Sequence, residues 1–307
     1  MKLLLVDGNY YVYRSFFAIR DLSNSRGEPT NAIYGFVKTL RRMVKDLSPE
    51  LGAVVWDEGL PVRRTQLQPA YKAQRAEMPP DMRPQLAFIR DLVPLLGFAS
   101  LSLPDTEADD LMATYACTAT AKNIEVILAT NDKDLFQLVD GNVRVYTTNK
   151  ADLAGLKDTH ALLDAASVQK KWGVPPGRVG DILALIGDTV DNIPGVSGLG
   201  QKGAANLLNT HGTLDALLAD LSAVQNLRIR EKLIAARDQI IQNREMVKLD
   251  LDLPLPAPVE DLKILPRYDD LIATIQKCEF KSLLAEIQAE AAALQSSPGA
   301  HHQTELF

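Results

Sequence analysis

Acidic side chains follow the apolar stretches of this chain more regularly than turn formation requires. Asp7 closes the run Leu3-Leu4-Leu5-Val6, Asp57 follows Val54-Val55-Trp56, and Asp132 and Asp134 come directly after the apolar run at 124–130. Thr106-Glu107-Ala108-Asp109-Asp110 adds three acids at what reads as a helix N-terminus, with Glu107 and Asp110 on one face and Asp109 one step round. Gly187-Asp188-Thr189-Val190-Asp191 adds two more. Singly, each is an ordinary turn former or a partner of a helix macrodipole. Gathered in one cleft they cannot all ionise, because like charges raise one another's pKa values unless cations intervene. With all-oxygen ligands and only four His in the chain, Mg²⁺ or Mn²⁺ fits such a cluster better than Zn²⁺.

Gathering the acids is the task of the elements around them. Short apolar runs at 2–6, 51–56, 124–130 and 143–147 read as strands. Between them, 31–47 carries Ile33, Phe36, Val37, Leu40, Met43, Val44 and Leu47 at steps of three and four, one helical face with Arg41, Arg42 and Lys45 outside it. A second helix is expected over 81–96, stopped by Gly97. Alternating strands and helices predict an α/β fold with a mostly parallel sheet covered on both faces. Ligands of such sheets bind at the carboxyl ends of the strands, where these acids fall.

A second constellation runs from Leu185 to Lys202. A helix ends at Gly187, and Gly195, Gly198 and Gly200 form a hairpin before a helix over 204–208. Glycines there let backbone N–H groups approach a phosphate at a helix N-terminus, and Lys202 adds a charged contact. The plain alternative is a tight interhelical turn.

Composition sets the limits. The 307 residues are 46% hydrophobic, 23% charged and only 6% aromatic, enough to bury one large or two small cores and incompatible with a collagenous or largely disordered chain. No apolar run reaches the roughly 20 residues that span a bilayer, so neither membrane helix nor signal peptide is expected. Cys117 and Cys278 lie in no metal-ligand spacing and read as buried thiols in helices, which points to a reducing, cytoplasmic compartment. A net charge of −6 argues superficially against a nucleic-acid partner. With the nine acids named above set aside, the remainder is mildly basic.

These residues resemble the 5′ nucleases of the flap endonuclease type, most closely the 5′-3′ exonuclease domain of bacterial DNA polymerase I. The resemblance rests on Val6-Asp7-Gly8-Asn9, Val55-Trp56-Asp57, Tyr71-Lys72-Ala73-Gln74-Arg75, Thr106 to Asp110, Thr130-Asn131-Asp132-Lys133-Asp134-Leu135, Gly187 through Gly200, and Glu279-Phe280-Lys281-Ser282-Leu283-Leu284, in the family's order. It implies a PIN-like, Rossmann-like core over 1–177 with a helical arch at about 61–95. It also implies a helix-hairpin-helix DNA-binding region over 178–250, an extension over 251–294 packed on the core, and a flexible tail over 295–307. By the same resemblance Asp7, Asp57, Glu107, Asp109 and Asp110 surround one metal, and Asp132, Asp134, Asp188 and Asp191 a second. The pair would activate water and stabilise the leaving oxygen of a phosphodiester. Lys72 and Arg75 become the catalytic clamp on the scissile phosphate. Arg63 and Arg64 belong to the basic stretch read as part of the arch, and Gly195, Ser197, Gly198, Gly200 and Lys202 hold duplex backbone, with K⁺ at the hairpin. Tyr13 and Arg14 are read as stacking on and holding a terminal nucleotide, with core packing the alternative for Tyr13.

The substrate implied is a 5′-flap or branched DNA, or an RNA-DNA primer junction, processed in replication and repair by a monomer, nucleoid-associated in a bacterial cytoplasm, with a polymerase acting in trans. The last residues, Gln303-Thr304-Glu305-Leu306-Phe307, resemble the peptide by which bacterial replication proteins dock on the sliding clamp, with Gln303, Leu306 and Phe307 as its contacts. This reading favours a natural stand-alone nuclease over a piece of a polymerase. Three other readings compete. A non-catalytic branched-DNA scaffold does not need the full acid set. A phosphatase with Asp7 as nucleophile wants a second Asp where Asn9 stands. A small RNase on the same core leaves the glycine hairpin and the arch unexplained.

Overall fold

The computed structural model describes residues 1–148 and 160–295. In chain order the first elements are β1 (Lys2–Asp7), α1 (Gly8–Ala18), α2 (Asn31–Leu47), β2 (Leu51–Val55), α3 (Val62–Leu67), α4 (Arg83–Leu92) and β3 (Ala99–Leu101). Then come α5 (Ala108–Thr120), β4 (Glu125–Ala129), β5 (Val143–Thr147), β6 (Ala161–Leu163), α6 (Ala165–Trp172), α7 (Val179–Ile186) and α8 (Gln201–His211). The rest are α9 (Leu214–Ala219), α10 (Leu227–Ala235), α11 (Arg237–Met246), α12 (Tyr268–Lys277) and α13 (Lys281–Gln295). The strands are hydrogen-bonded in the order β3-β2-β1-β4-β5-β6. β1 and β4 pair in parallel, as do β4 and β5, and β6 closes the edge antiparallel to β5. The expected mostly parallel α/β sheet flanked by helices is the one found.

Two compact units make up the chain. The first comprises 1–8, 55–77 and 101–259. Leu3, Leu4 and Leu5 of β1 and Val126, Ile127 and Leu128 of β4 are fully buried, as the strands of a parallel sheet covered on both faces must be. Their register pairs Val6 with Ala129, which brings Asp7 level with Thr130 at the carboxyl ends of both strands. In the helical part of the same unit α11 packs on α7. The buried Asn243 Nδ2 donates to Ala184 O at 3.0 Å and to Pro194 O at 2.7 Å, fastening the hairpin after α7 to that helix pair.

The second unit comprises 9–54, 78–100 and 260 onward. α2 has the bounds its periodicity predicts, with Ile33, Phe36, Val37, Leu40, Met43 and Leu47 buried. Gln85 of α4, itself buried, accepts from Ala32 N at 2.8 Å and donates to Asn31 Oδ1 at 3.0 Å, so one amide satisfies the start of α2 and ties α4 to it. On the outer face of α2, Lys38 pairs with Glu286 at 2.9 Å and Arg41 with Glu290, holding α13 alongside.

The helix expected over 81–96 is shorter. α4 starts at Arg83 with Pro84 in its first turn, and Pro94 converts the end to a 3₁₀ turn, Val93–Leu96, before Gly97 at φ 88°. α8 is longer than the predicted 204–208 and begins directly after Gly200. Cys278 sits at the end of α12, buried, and Cys117 in α5, half-buried; both are free thiols. Among the described residues no helix is long and apolar enough to cross a membrane. The tail residues Gln303, Leu306 and Phe307 lie outside the described residues.

Candidate active site

All nine sequence-predicted acids lie in the first unit. The β1/β4 register decides where two strands deliver theirs. Thr130 Oγ1 donates to Asp7 Oδ2 at 3.2 Å and accepts from Asp132 N at 3.0 Å, so one hydroxyl joins the end of β1 to the turn after β4. Asp132 Oδ1 then accepts from Asp134 N at 2.8 Å, and the turn runs into a 3₁₀ helix, Asp134–Leu138. Asp57, two residues past β2, accepts from Ala108 N at 2.8 Å and so caps the first turn of α5. That bond fixes the helix end that carries the other acids.

Two triads of carboxylates result. Oxygens of Glu107, Asp109 and Asp110 all lie within 4.8 Å of one another, and so do those of Asp109, Asp132 and Asp134. Asp109, at the start of α5, belongs to both. The triads differ in what surrounds them. Glu107 and Asp110 share the guanidinium of Arg64, which bonds both Asp110 oxygens, at 2.5 and 2.9 Å. Glu107 also holds the ammonium of Lys72 and accepts from Tyr71 Oη at 3.0 Å. Asp109, Asp132 and Asp134 have no ion-pair partner among the described residues.

Burial and mutual repulsion act on both triads. Burial, then the neighbouring Asp109, pushes the Asp132 carboxyl up to about 7. Burial, then Asp132 and Asp109, raises Asp134 well above the carboxylate range. Asp110 is also pushed up to about 7 by burial and Asp109, against the pull of Arg64. Burial likewise raises Asp57 and Glu107. For Lys72 burial works against the charge, but Glu107, Asp109 and Asp191 outweigh it and its pKa rises. Closely spaced carboxylates with oxygen donors only and no direct ion-pair partner among the described residues fit a hard divalent cation. The donor set around Asp109, Asp132 and Asp134 could hold one.

Asp188 and Asp191 come from the tight turn after α7. Asp188 N donates to Ile193 O at 2.9 Å and Ile193 N to Asp188 O at 2.7 Å. Gly187 takes φ 71°, and a Cβ at Gly195 would lie 1.8 Å from Ile186 O, so both positions require glycine. Each acid carries a cation: Lys133 Nζ donates to Asp188 Oδ2 at 2.7 Å, and Arg75 Nη2 to Asp191 Oδ1 at 2.7 Å. Lys72 Nζ is 3.8 Å from Asp191 Oδ2. The segment bearing Lys72 and Arg75 is stitched to this turn, since Lys72 N donates to Asp191 O at 3.2 Å and Asn192 Nδ2 to Ala70 O at 2.7 Å. Lys72 itself sits at φ 56°, a left-handed conformation costly for a lysine.

Several predicted residues have surroundings the sequence did not suggest. Arg64, grouped by sequence with an exposed basic arch that meets DNA, is fully buried. A guanidinium enclosed on all sides cannot reach a nucleic acid, and that reading of Arg64 is corrected. Arg63 is half-buried, with its guanidinium on the carbonyls of Glu245 and Lys248 and 3.3 Å from Asp250 Oδ1. Ser197, Gly198, Gly200 and Lys202 are exposed along the hairpin and the start of α8, beside a cleft of ≈ 1140 Å³ that Lys171, Gln201 and Asn226 also line. In the second unit Tyr13 is half-buried and Arg14 exposed on α1, with the Tyr13 ring 6.5 Å from that of the exposed Phe17. Sequence reasoning missed Tyr71, Thr130 and Lys133 as partners of the acids. A threonine two residues before an aspartate in a turn is a recognisable signal for the second of these.

The chain belongs to the 5′-3′ exonuclease family: residues 2–173 match its N-terminal resolvase-like domain and 174–270 its C-terminal SAM fold. It is 37% identical over 286 residues to the 5′-3′ exonuclease of Aquifex aeolicus, covering 93% of this chain and 94% of that protein. It is 39% identical over 285 residues to the thermostable DNA polymerase I of Thermus thermophilus, covering 93% of this chain and 33% of the polymerase. The chain thus spans about a third of the polymerase relatives it matches. Among solved structures, the T5 D15 protein co-crystallised with metal ions shares the fold with a TM-score of 0.67 at 21% identity, over 94% of this chain and 99% of that one. The catalytic core of Rad2 in complex with DNA substrate does so at 0.62 and 17%, over 92% and 91%.

Proposed function

We propose that the chain is a structure-specific 5′-3′ exonuclease and flap endonuclease that hydrolyses phosphodiester bonds at 5′ ends and flap junctions of DNA and RNA-primed DNA. One observation carries the reading: carboxylate oxygens of Asp109, Asp132 and Asp134 lie within 4.8 Å of one another beside the carboxyl ends of the strands, and none of the three has an ion-pair partner among the described residues. Glu107, Asp7, Asp57, Asp188 and Asp191 complete a set able to hold two Mg²⁺ ions, with Mn²⁺ able to substitute. Ions held there would lower the pKa of an attacking water and offset charge on the leaving oxygen.

The remaining work falls to the chain's own side chains. Lys72 and Arg75, now paired with Glu107 and Asp191, are placed to exchange those carboxylates for the oxygens of a scissile phosphate. Tyr71 holds Glu107 in position while they do so. Duplex backbone is assigned to the hairpin, through Gly195, Ser197, Gly198, Gly200 and Lys202, with K⁺ as its bridging ion and the free N–H groups of α8 facing phosphate. Tyr13 and Arg14 are assigned to the 5′ nucleotide, and Arg63 to the rim of the entry path. The domain limits 1–177, 178–250 and 251–294 belong to the same proposal, as do replication and repair as setting and clamp docking through Gln303, Leu306 and Phe307.

The test is cleavage of a 5′-flap duplex labelled at both ends. Products cut at the junction or the 5′ end in Mg²⁺ and absent in EDTA are expected. A chain that binds the flap but cuts it with no divalent metal tried would instead be a DNA-binding scaffold.

A further inference from the structure

Arg64 spends every donor inside the protein. Nε donates to Met246 O at 2.9 Å, Nη1 to Glu107 and to Asp110 Oδ2, and Nη2 to Asp110 Oδ1 and to Lys248 O at 3.1 Å. A guanidinium offers five N–H donors in a rigid fork, and here all five have acceptors. The helix that supplies it is built the wrong way round for a surface helix: in α3 the apolar Val62 and Leu67 are exposed while Arg64 points inward. Such an inversion is costly unless the charge has a buried task.

That task is legible in what the fork leaves behind. Asp110 is engaged on both oxygens, Oδ1 also accepting from Asp250 N at 2.9 Å. Glu107 is touched by Arg64 on Oε2 only, so its Oε1 turns to the side where Lys72 now sits. Asp109, between them in sequence, accepts no hydrogen bond from Arg64, and its carboxylate lies within 4.8 Å of those of Asp132 and Asp134. We propose that Arg64 is a positioning residue, a built-in counter-ion that orients Glu107 for metal binding and withholds Asp110 from the metal, leaving Asp110 an anchor rather than a ligand. The proposal rests on the metal-dependent reading above and divides its acids into two kinds. It also joins α3, the start of α5, the last residue of α11 and the segment after it at one point, because the two carbonyls come from Met246 and Lys248.

The test titrates the full chain with Mn²⁺ alone and separately measures flap-duplex affinity in EDTA. Arg64→Lys keeps the charge, but one ammonium cannot serve two carboxylates and two carbonyls. Its Mn²⁺ affinity and kcat are expected to fall by about 10- to 100-fold, the range for lost partners of metal ligands, while its DNA affinity in EDTA stays that of the wild type. Asp110→Asn, which keeps one of the two oxygen acceptors that Arg64 uses, is expected to bind as many Mn²⁺ ions as the wild type. Reduced DNA affinity with intact Mn²⁺ binding in Arg64→Lys would make Arg64 a DNA contact and overturn the proposal. So would an Asp110→Asn chain that melts with the wild type yet binds one ion fewer, and this arm decides alone should Arg64→Lys not fold. A wild type that binds no Mn²⁺ at all would fail the metal reading itself, a separate outcome.

Discussion

Two carboxylate triads share Asp109, yet the protein treats them differently. Around Glu107 and Asp110 it buries Arg64 and brings up Lys72 and Tyr71; around Asp132 and Asp134 it supplies one backbone N–H, Asp134 N to Asp132 Oδ1, and no ion pair among the described residues. An acid paired with a cation has its charge at least partly offset, whereas clustered acids without one are stable only when protonated or when something else brings the charge. The first arrangement carries its own counter-charge. The second is a demand for a ligand, and it sits at the strand ends where the fold delivers ligands.

Substitutions can break this contrast. Asp132→Asn removes an oxygen donor from the uncompensated triad and is expected to lower flap cleavage on the order of 10³-fold, at the upper end for loss of one transition-state contact. Single-turnover rates at saturating enzyme will show it. Lys72→Met should cost on the order of 10²-fold in kcat, because Arg75 remains to meet the phosphate. If cleavage is unchanged, Lys72 is only a counter-ion of Glu107.

Stability separates the two triads by sign. Arg64→Met strands two buried carboxylates and is expected to destabilise the fold by roughly 3–5 kcal/mol in denaturant titration. Asp134→Asn, measured without metal, removes repulsion and should raise the melting temperature; a fall would mean that the triad is already compensated. The dependence on pH sharpens the point. Asp110 and Asp132 titrate in the fold at about 7, above the ordinary carboxylate value. At these two groups the folded state therefore holds protons the unfolded chain releases, and their contribution to metal-free stability is greatest at acid pH and is lost as pH rises through 7. The melting-temperature gain on adding Mg²⁺ should grow over the same window.

Much of the scaffold could be read from periodicity. α2 and β5 have the bounds predicted for them, because a full apolar face and an alternating β-branched run leave few alternatives. β3 and β6 were missed: three residues each, Ala99–Leu101 and Ala161–Leu163, are too short to show a period. For the site, residue type and spacing located the acids, and the strand-end rule gathered them. What local pattern could not supply was partnership. Nothing in Val62–Leu67 reveals that its arginine turns inward, since the acceptors lie in residues 107, 110, 246 and 248. The division of acids between two metals, five and four, was likewise a matter of three-dimensional neighbours. Asp109 clusters with Asp132 and Asp134 as well as with Glu107, while Asp188 and Asp191 carry Lys133 and Arg75.

The most direct measurement is a Mn²⁺ titration of wild type and Asp134→Asn at neutral pH, counting bound ions by the loss of the free-ion electron paramagnetic resonance signal. The uncompensated triad predicts tight binding in the wild type and the loss of at least one ion in Asp134→Asn, with the variant still folded. Equal binding in the two proteins would contradict it, and the acids at the strand ends would then be neutralised by protons alone.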